Sequence, residues 1–81
     1  MARVSGQQDA DRSLKRLGDA VRAARKAKGL SQEALADAAG IDRSHMGKIE
    51  RGERNVTLLN LVRISKAIGC KPSDLLVAAS L

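Results

Sequence analysis

The sequence contains no phenylalanine, tyrosine or tryptophan, and it has only one cysteine, one proline and one histidine. Without aromatic rings, it lacks the side chains on which proteins usually stack single-stranded nucleic acid. A single cysteine excludes an intrachain disulfide. One histidine, one distant cysteine and no clustered carboxylates offer neither a metal site nor catalytic groups. We therefore expect a protein that is not an enzyme and that uses no metal or other cofactor.

Long apolar segments are lacking as well. No run of apolar residues approaches the roughly 18 that a membrane-spanning helix requires. The N-terminal residues do not contain the apolar core of a signal peptide. The sequence thus predicts a cytoplasmic protein with no membrane-spanning segment.

What the chain does have is aliphatic sequence for one small helical core. At 81 residues, a single domain buries about 60% of the surface that its unfolded chain exposes. Ten leucines, four isoleucines and many alanines supply that core. Because alanine, leucine, arginine and lysine all favour helices, and no β-rich run is present, we predict an all-α fold.

The net charge of +6 is concentrated in one part of the chain. Residues 12–28 hold seven basic side chains and one acidic side chain, whereas the remaining residues carry eight of each sign. A localised positive excess is typical of proteins that bind a polyanion. A solvated helix face would show the same pattern, so charge alone leaves nucleic acid, a membrane surface and plain solubility open.

Caps and apolar spacing divide the chain into an arm and five helices. Residues 1–12 are polar and without apolar periodicity, and we interpret them as a flexible N-terminal arm. Residues 13–81 form the predicted domain. Its helices are expected from Ser13 to the cap at Gly29, from Gln32 to about Ala38, from the cap Asp42 to about Arg51, from the cap Thr57 to Ile68, and from Pro72 to about Ala79.

The second and third predicted helices are short and are joined by a three-residue turn that contains Gly40, which is the layout of a helix-turn-helix. The spacing turns five residues of this segment towards the core: Leu35, Ala39, Ile41, Met46 and Ile49. The residues left on the outer face of the third helix are Arg43, Ser44, Gly47, Lys48 and Arg51, with His45 at one edge. This face is rich in donors and free of acids, as guanine edges and phosphates require. Gly47 would let the helix settle deeper into a groove, whereas a generic helical hairpin explains the apolar spacing but not the charge.

Residues 14–77 resemble the Cro/repressor-type helix-turn-helix regulators of phage and bacteria, the XRE family. The resemblance is carried by SQEALA at 31–36, the AGI turn at 39–41, and IERGERN at 49–55. It implies a compact, five-helix, lambda-repressor-like domain that binds operator DNA as a homodimer. Within the family, Asp42-Arg43 and ERGERNV at 50–56 are most similar to the controller proteins of restriction–modification systems. Many chromosomal regulators share this local pattern.

The resemblance also implies which residues contact DNA. Arg43, Ser44 and Lys48 match the positions that reach base edges, and the Arg43 guanidinium suits bidentate bonding to guanine. His45 is a further candidate contact. The positions that contact the DNA backbone are matched by Gln32, Arg54 and Asn55.

Two charged residues match family positions with a structural role. In the family, an arginine in the last turns of the first helix pairs with the glutamate before Arg-Gly at the end of the third. Arg25 and Glu50 occupy these positions. We expect them to form an ion pair that holds the recognition helix.

The last two helices carry more apolar side chains than one small core can cover. In the fourth helix, Leu58, Leu61, Ile64 and Ile68 suit the core, while Leu59 and Val62 lie to one side. A surplus apolar patch usually marks an interaction surface, and the family dimerises here. The predicted dimer interface therefore consists of Leu59, Val62, Leu76 and Val77.

Together these features predict a regulator that binds double-stranded DNA of specific sequence as a homodimer on a near-palindromic operator. We expect it in the cytoplasm, on the nucleoid, with neither a membrane partner nor a small-molecule ligand. The alternative is a protein-interaction module of the same fold, such as an antitoxin or an anti-repressor partner. The acid-free face of the third helix argues against that alternative.

Overall fold

The computed structural model describes Asp9 and residues 11–81, so residues 1–8 and 10 of the predicted arm lie outside the described residues. Every regular element in the described part is a helix, which confirms the all-α prediction. The helices are α1 (Ser13–Ala27), α2 (Gln32–Ala39), α3 (Arg43–Glu50), α4 (Leu58–Ile68) and α5 (Pro72–Ala78). Each helix ends within about a residue of the end that the capping pattern predicted.

Local side chains begin three of the helices as the sequence predicted. The side chains of Ser31, Asp42 and Thr57 each accept a hydrogen bond from the backbone N–H three residues later. These bonds satisfy donors that the first turn of a helix leaves without partners. Gly40 ends α2 with a φ of 68° and Gly69 ends α4 with a φ of 92°, a left-handed conformation that only glycine adopts without strain.

The start of α1 involves a residue of the predicted arm. The Asp9 carboxylate accepts hydrogen bonds from the backbone N–H groups of Ser13 at 2.8 Å and Leu14 at 2.7 Å. Asp9 is half-buried by these contacts. It therefore packs with the first turn of α1.

The core lies where α1, α2, α3 and α4 meet, and α5 closes it against α1 and α4. The five residues of α2, the turn and α3 that were predicted to face inward are all buried. Leu58, which was predicted to be in the core, is 73% exposed, so that prediction is wrong. Leu58 is the first residue of α4, and at this end of the helix Val56 from the preceding loop packs against the core, whereas Leu58 does not.

Glycine lets α1 and α3 approach each other at backbone distance. A Cβ placed on Gly18 of α1 would lie 2.5 Å from the carbonyl oxygens of both Ile49 and Glu50. A Cβ on Gly52, just after α3, would lie 2.7 Å from the Cα of Lys15. The C-terminal end of α3 is thereby set directly on α1. Periodicity alone did not reveal this crossing.

Candidate nucleic-acid interface

The α2–turn–α3 unit is held rigidly on the core. Ala36, at the crossing of the two helices, is buried, and its carbonyl accepts a 2.9 Å hydrogen bond from the N–H of Ile41. Met46 and Ile49 anchor the inner side of α3, and both are completely buried. The opposite side of α3 is therefore presented to solvent in a fixed orientation.

The exposed side of α3 carries the residues that were predicted to read bases. Arg43 and Ser44 are exposed, and His45 and Lys48 are half-buried. An acid does lie nearby, because the Glu33 carboxylate in the first turn of α2 is 3.8 Å from the Arg43 guanidinium. The expectation of an acid-free surface holds for α3 but not for its surroundings. Since both side chains are well exposed, this pair is weak and leaves Arg43 able to move to another acceptor.

Gly47 does not face outward as predicted. It is buried, and a Cβ placed there would lie 3.3 Å from Oε1 of Gln32 and 3.1 Å from Nη1 of Arg51. The prediction that Gly47 lies on the outer face of α3 is therefore wrong. Its missing side chain makes room for the side chain of Gln32 from α2.

The structure brings Arg25 and Glu50 together in a two-pronged ion pair. Arg25 Nε is 2.8 Å from Glu50 Oε2, and Arg25 Nη2 is 3.0 Å from Oε1. The third guanidinium nitrogen, Nη1, donates to the carbonyl of Leu30 at 2.9 Å. Both side chains are buried. The pair thus ties the end of α3 to α1 and to the connection between α1 and α2.

Gln32 is a third member of this cluster, which sequence reasoning did not identify. Its Nε2 donates to Glu50 Oε1 at 3.2 Å. The amide nitrogen carries two hydrogens, and only one is used in bonds among the described residues. The side chain that was predicted to contact a phosphate is therefore oriented by the buried ion pair and has one donor left.

The loop between α3 and α4 carries the other two residues that were predicted to contact the DNA backbone. Arg54 and Asn55 are exposed there, and neither side chain forms a hydrogen bond within the described part of the chain. The loop begins with an exposed ion pair in which Arg51 Nε lies 2.7 Å from Glu53 Oε2. The hydrogen bond from Arg51 holds the pKa of the Glu53 carboxyl below its usual value.

We also looked for a metal site, a membrane-spanning helix and a reactive cysteine among the described residues. Across Asp9 and 11–81, no three histidine, cysteine, aspartate or glutamate side chains lie close enough together to hold a metal ion. None of α1 to α5 has the length and apolar character needed to cross a bilayer. Cys70 is half-buried at the end of α4, and burial raises the pKa of its thiol.

Large apolar side chains remain uncovered on α4 and α5. Of the predicted interface residues, Leu59 is 67% exposed, Val62 39% and Val77 75%. The fourth, Leu76, is half-buried and packs against the core. Leu58 and Leu81 are exposed as well, although the sequence had not placed either at an interface.

Comparisons with known proteins agree with this geometry. Residues 21–75 match the helix-turn-helix family. Control protein C.BamHI of Bacillus amyloliquefaciens is 48% identical over 60 residues, which cover 73% of this chain and 74% of that protein. Control protein C.SmaI of Serratia marcescens is 42% identical over 65 residues, covering 80% and 77%.

A solved structure shows the same relationship. The restriction-modification controller protein C.AhdI from Aeromonas hydrophila aligns with a TM-score of 0.75 at 47% identity, over 76% of this chain and 94% of that one. The resemblance seen in the sequence is confirmed. The chain belongs to the Cro/repressor-type helix-turn-helix family, in the group of the restriction–modification controller proteins.

Proposed function

We propose that this protein is a transcriptional regulator that binds double-stranded DNA of specific sequence as a homodimer on a near-palindromic operator. The observation that carries the proposal is the rigid mounting of α3, with donor-bearing side chains on its exposed side. Arg43 would bond bidentately to a guanine, while Ser44 and Lys48 contact neighbouring base edges. His45, at the edge of this surface, is a further candidate contact.

Residues before and after α3 in the chain would contact the DNA backbone. Gln32 lies at the N-terminus of α2, where unpaired N–H groups and the helix dipole favour a phosphate. Arg54 and Asn55 stand exposed in the loop before α4. Such contacts fix the register of the protein on the duplex without reading its sequence.

The dimer is supported by the uncovered apolar side chains of α4 and α5. Leu59 and Val62 share one side of α4, and Val77 projects from α5. A second copy that covers these residues would form a symmetric contact and present two copies of α3 to one duplex. In this proposal residues 13–81 are both the DNA-binding and the dimerisation domain.

The kind of system that this protein would regulate is suggested by the relatives, since C.BamHI is named a control protein and C.AhdI a restriction-modification controller protein. We propose that this chain likewise controls the genes of a restriction–modification system. It would act in the cytoplasm on the nucleoid, without a small-molecule ligand, so its own concentration would set operator occupancy.

The alternative function uses the same apolar surface to bind a different protein, as an antitoxin or anti-repressor partner does. A foreign partner would cover Leu59 and Val77 as well as a second copy would. The two functions differ in what the exposed side of α3 does. Only the regulator requires base-specific binding.

The test is selection of duplexes from a random pool, followed by footprinting. We expect two half-sites about 10–10.5 base pairs apart, centre to centre. Arg43→Ala should lower affinity for the selected duplex by about 1–3 kcal/mol and relax the preference at one base pair. Arg54→Ala, the control for a backbone contact, should weaken selected and random duplexes alike.

Two results would reject the proposal. One is a pool from which no sequence is enriched. The other is an Arg43→Ala variant that loses the same factor on selected and random DNA while its circular dichroism is unchanged.

A further inference from the structure

A crevice of about 520 Å³ lies between α1 and the end of α3. Four cationic side chains line it: Lys15, Arg22, Arg25 and Arg51. Three of them are engaged, since Lys15 pairs with Asp19, Arg25 with Glu50, and Arg51 with Glu53. The three carboxylates that line the crevice, Asp19, Glu50 and Glu53, are therefore each already in an ion pair.

Arg22 is the exception among these cations. Its side chain is exposed, and within the described part of the chain it forms neither an ion pair nor a side-chain hydrogen bond. It lies one helical turn before Arg25, on the side of α1 that borders the crevice. A guanidinium with five donors and no acceptor among the described residues is suited to an external oxyanion.

Gln32 connects the crevice to the recognition helix. It lines the crevice, and its Oε1 lies against Gly47 of α3. Its unused amide hydrogen and the Arg22 guanidinium thus belong to one opening beside α3. We propose that Arg22 binds a phosphate of the DNA backbone at this opening, next to Gln32, so that α1 contributes its own contact to the duplex. This inference rests on the proposed function.

The occupant is DNA because the crevice borders α3. A duplex that meets the exposed side of α3 must carry its backbone past the neighbouring N-terminus of α2, where Gln32 lies. The bonds of Gln32 and Arg25 to Glu50 hold this wall of the crevice in place. Arg22 then needs only to order its own side chain on binding.

The test compares Arg22→Ala with Arg16→Ala. Arg16 is an exposed arginine of the same helix, but it faces α5, where its Nη1 lies 3.4 Å from the carbonyl of Ser80. Both variants remove one positive charge, so long-range electrostatics changes equally. The probe is a duplex enriched from a random pool by the wild-type protein, and affinity is measured against salt concentration.

Arg22→Ala should weaken binding by about tenfold for each bound chain, the value of a charge-assisted hydrogen bond. The slope of log affinity against log salt should fall by about 0.9 for each bound chain, because one phosphate is no longer neutralised. Arg22→Lys, which keeps the charge, should keep most of that slope. Arg16→Ala should leave it near the wild-type value.

Equal slopes for Arg22→Ala and Arg16→Ala would overturn the inference and show that Arg22 is a solvated side chain. Binding of the enriched duplex by the wild type would still support the proposed function in that case. If the wild type enriches no duplex, the proposed function fails and the inference fails with it.

Discussion

Glu50 is the residue at which the polar contacts of the helix-turn-helix converge. Its two oxygens accept hydrogen bonds from Arg25 and Gln32, and the residue is only 4% exposed. A buried carboxylate is tolerated only when its lone pairs are satisfied in this way. Loss of a single partner leaves the other charge buried and unpaired, which is more costly than loss of both.

We therefore expect Arg25→Ala and Glu50→Ala each to lower the free energy of unfolding by about 3–5 kcal/mol. Replacing both residues with apolar side chains of similar size should recover much of that loss. Urea denaturation measures all three variants. The control is Glu53→Gln, which breaks an exposed ion pair and should leave the midpoint nearly unchanged. A Glu50→Ala variant as stable as the wild type would contradict the buried pair.

Only part of this cluster was foreseeable at the level of residues. Arg25 and Glu50 were identified because each matches a position of the family pattern. The bond from Gln32 to Glu50 depends on how a flexible side chain is oriented between two helices. The same packing buries Gly47, which looked like an outward-facing residue on the helical wheel.

At the scale of elements, the crossing of α1 and α3 decides where the recognition helix lies. Gly18 brings the α1 backbone against the last carbonyls of α3. A side chain here would meet backbone atoms, which cannot rotate away. A Cβ added to Gly47 would instead meet the ends of two flexible side chains, Arg51 at 3.1 Å and Gln32 at 3.3 Å.

Gly18→Ala should therefore destabilise the protein by about 1–3 kcal/mol, as overpacking does. This loss should appear although alanine favours helix over glycine by about 1 kcal/mol. Gly47→Ala is the matched control, and we expect a much smaller change because Gln32 and Arg51 can shift. Thermal melting compares the two variants. A Gly18→Ala protein that melts at or above the wild-type temperature would show that the helices do not cross this closely.

At the scale of the whole molecule, the largest excess of positive charge and the exposed large apolar side chains lie on different helices. Residues 12–28 carry an excess of positive charge, of which Lys15 and Arg25 are held in ion pairs and Arg22 lies beside α3, whereas α4 and α5 expose large apolar side chains. Where such residues form one contiguous patch on a small protein, the patch usually marks an interaction surface. In our proposal DNA binding depends on the oligomeric state, because only a dimer presents two copies of α3 to one duplex.

Val77→Asp should produce a folded monomer, since Val77 is 75% exposed and a charge there would be buried only in the dimer. Sedimentation should show dissociation at concentrations where the wild type is dimeric, and affinity for the full operator should fall towards that of one half-site. Ala23→Asp, on an exposed position of α1, is the control for the added charge. Leu76→Asp is a poorer probe, because Leu76 packs against the core and its loss would also weaken folding.

A wild-type protein that sediments as a monomer at tens of micromolar would reject the dimer. If Val77→Asp remains a dimer with unchanged operator affinity, the interface lies elsewhere. Leu58 and Leu81 would then be the next apolar residues to vary, since both are exposed.

The amino-acid sequence by itself determined the helices, their order and the family. Caps such as Ser31, Asp42 and Thr57 act within a few residues of their own position, and so do the glycines that end α2 and α4. Apolar spacing within α2 and α3 likewise identifies their buried sides. Local interactions of this kind can be read directly from residue order.

Only the tertiary structure decided how the helices meet. The bond from Gln32 to Glu50, the contact of Gly18 with α3, and the exposure of Leu58 each depend on the distance and rotation between two elements. Spacing along one helix specifies which side is apolar but not where the covering helix ends. For that reason the sequence identified the recognition helix, while its mounting on α1 and the position of Arg22 beside it became visible only in the folded chain.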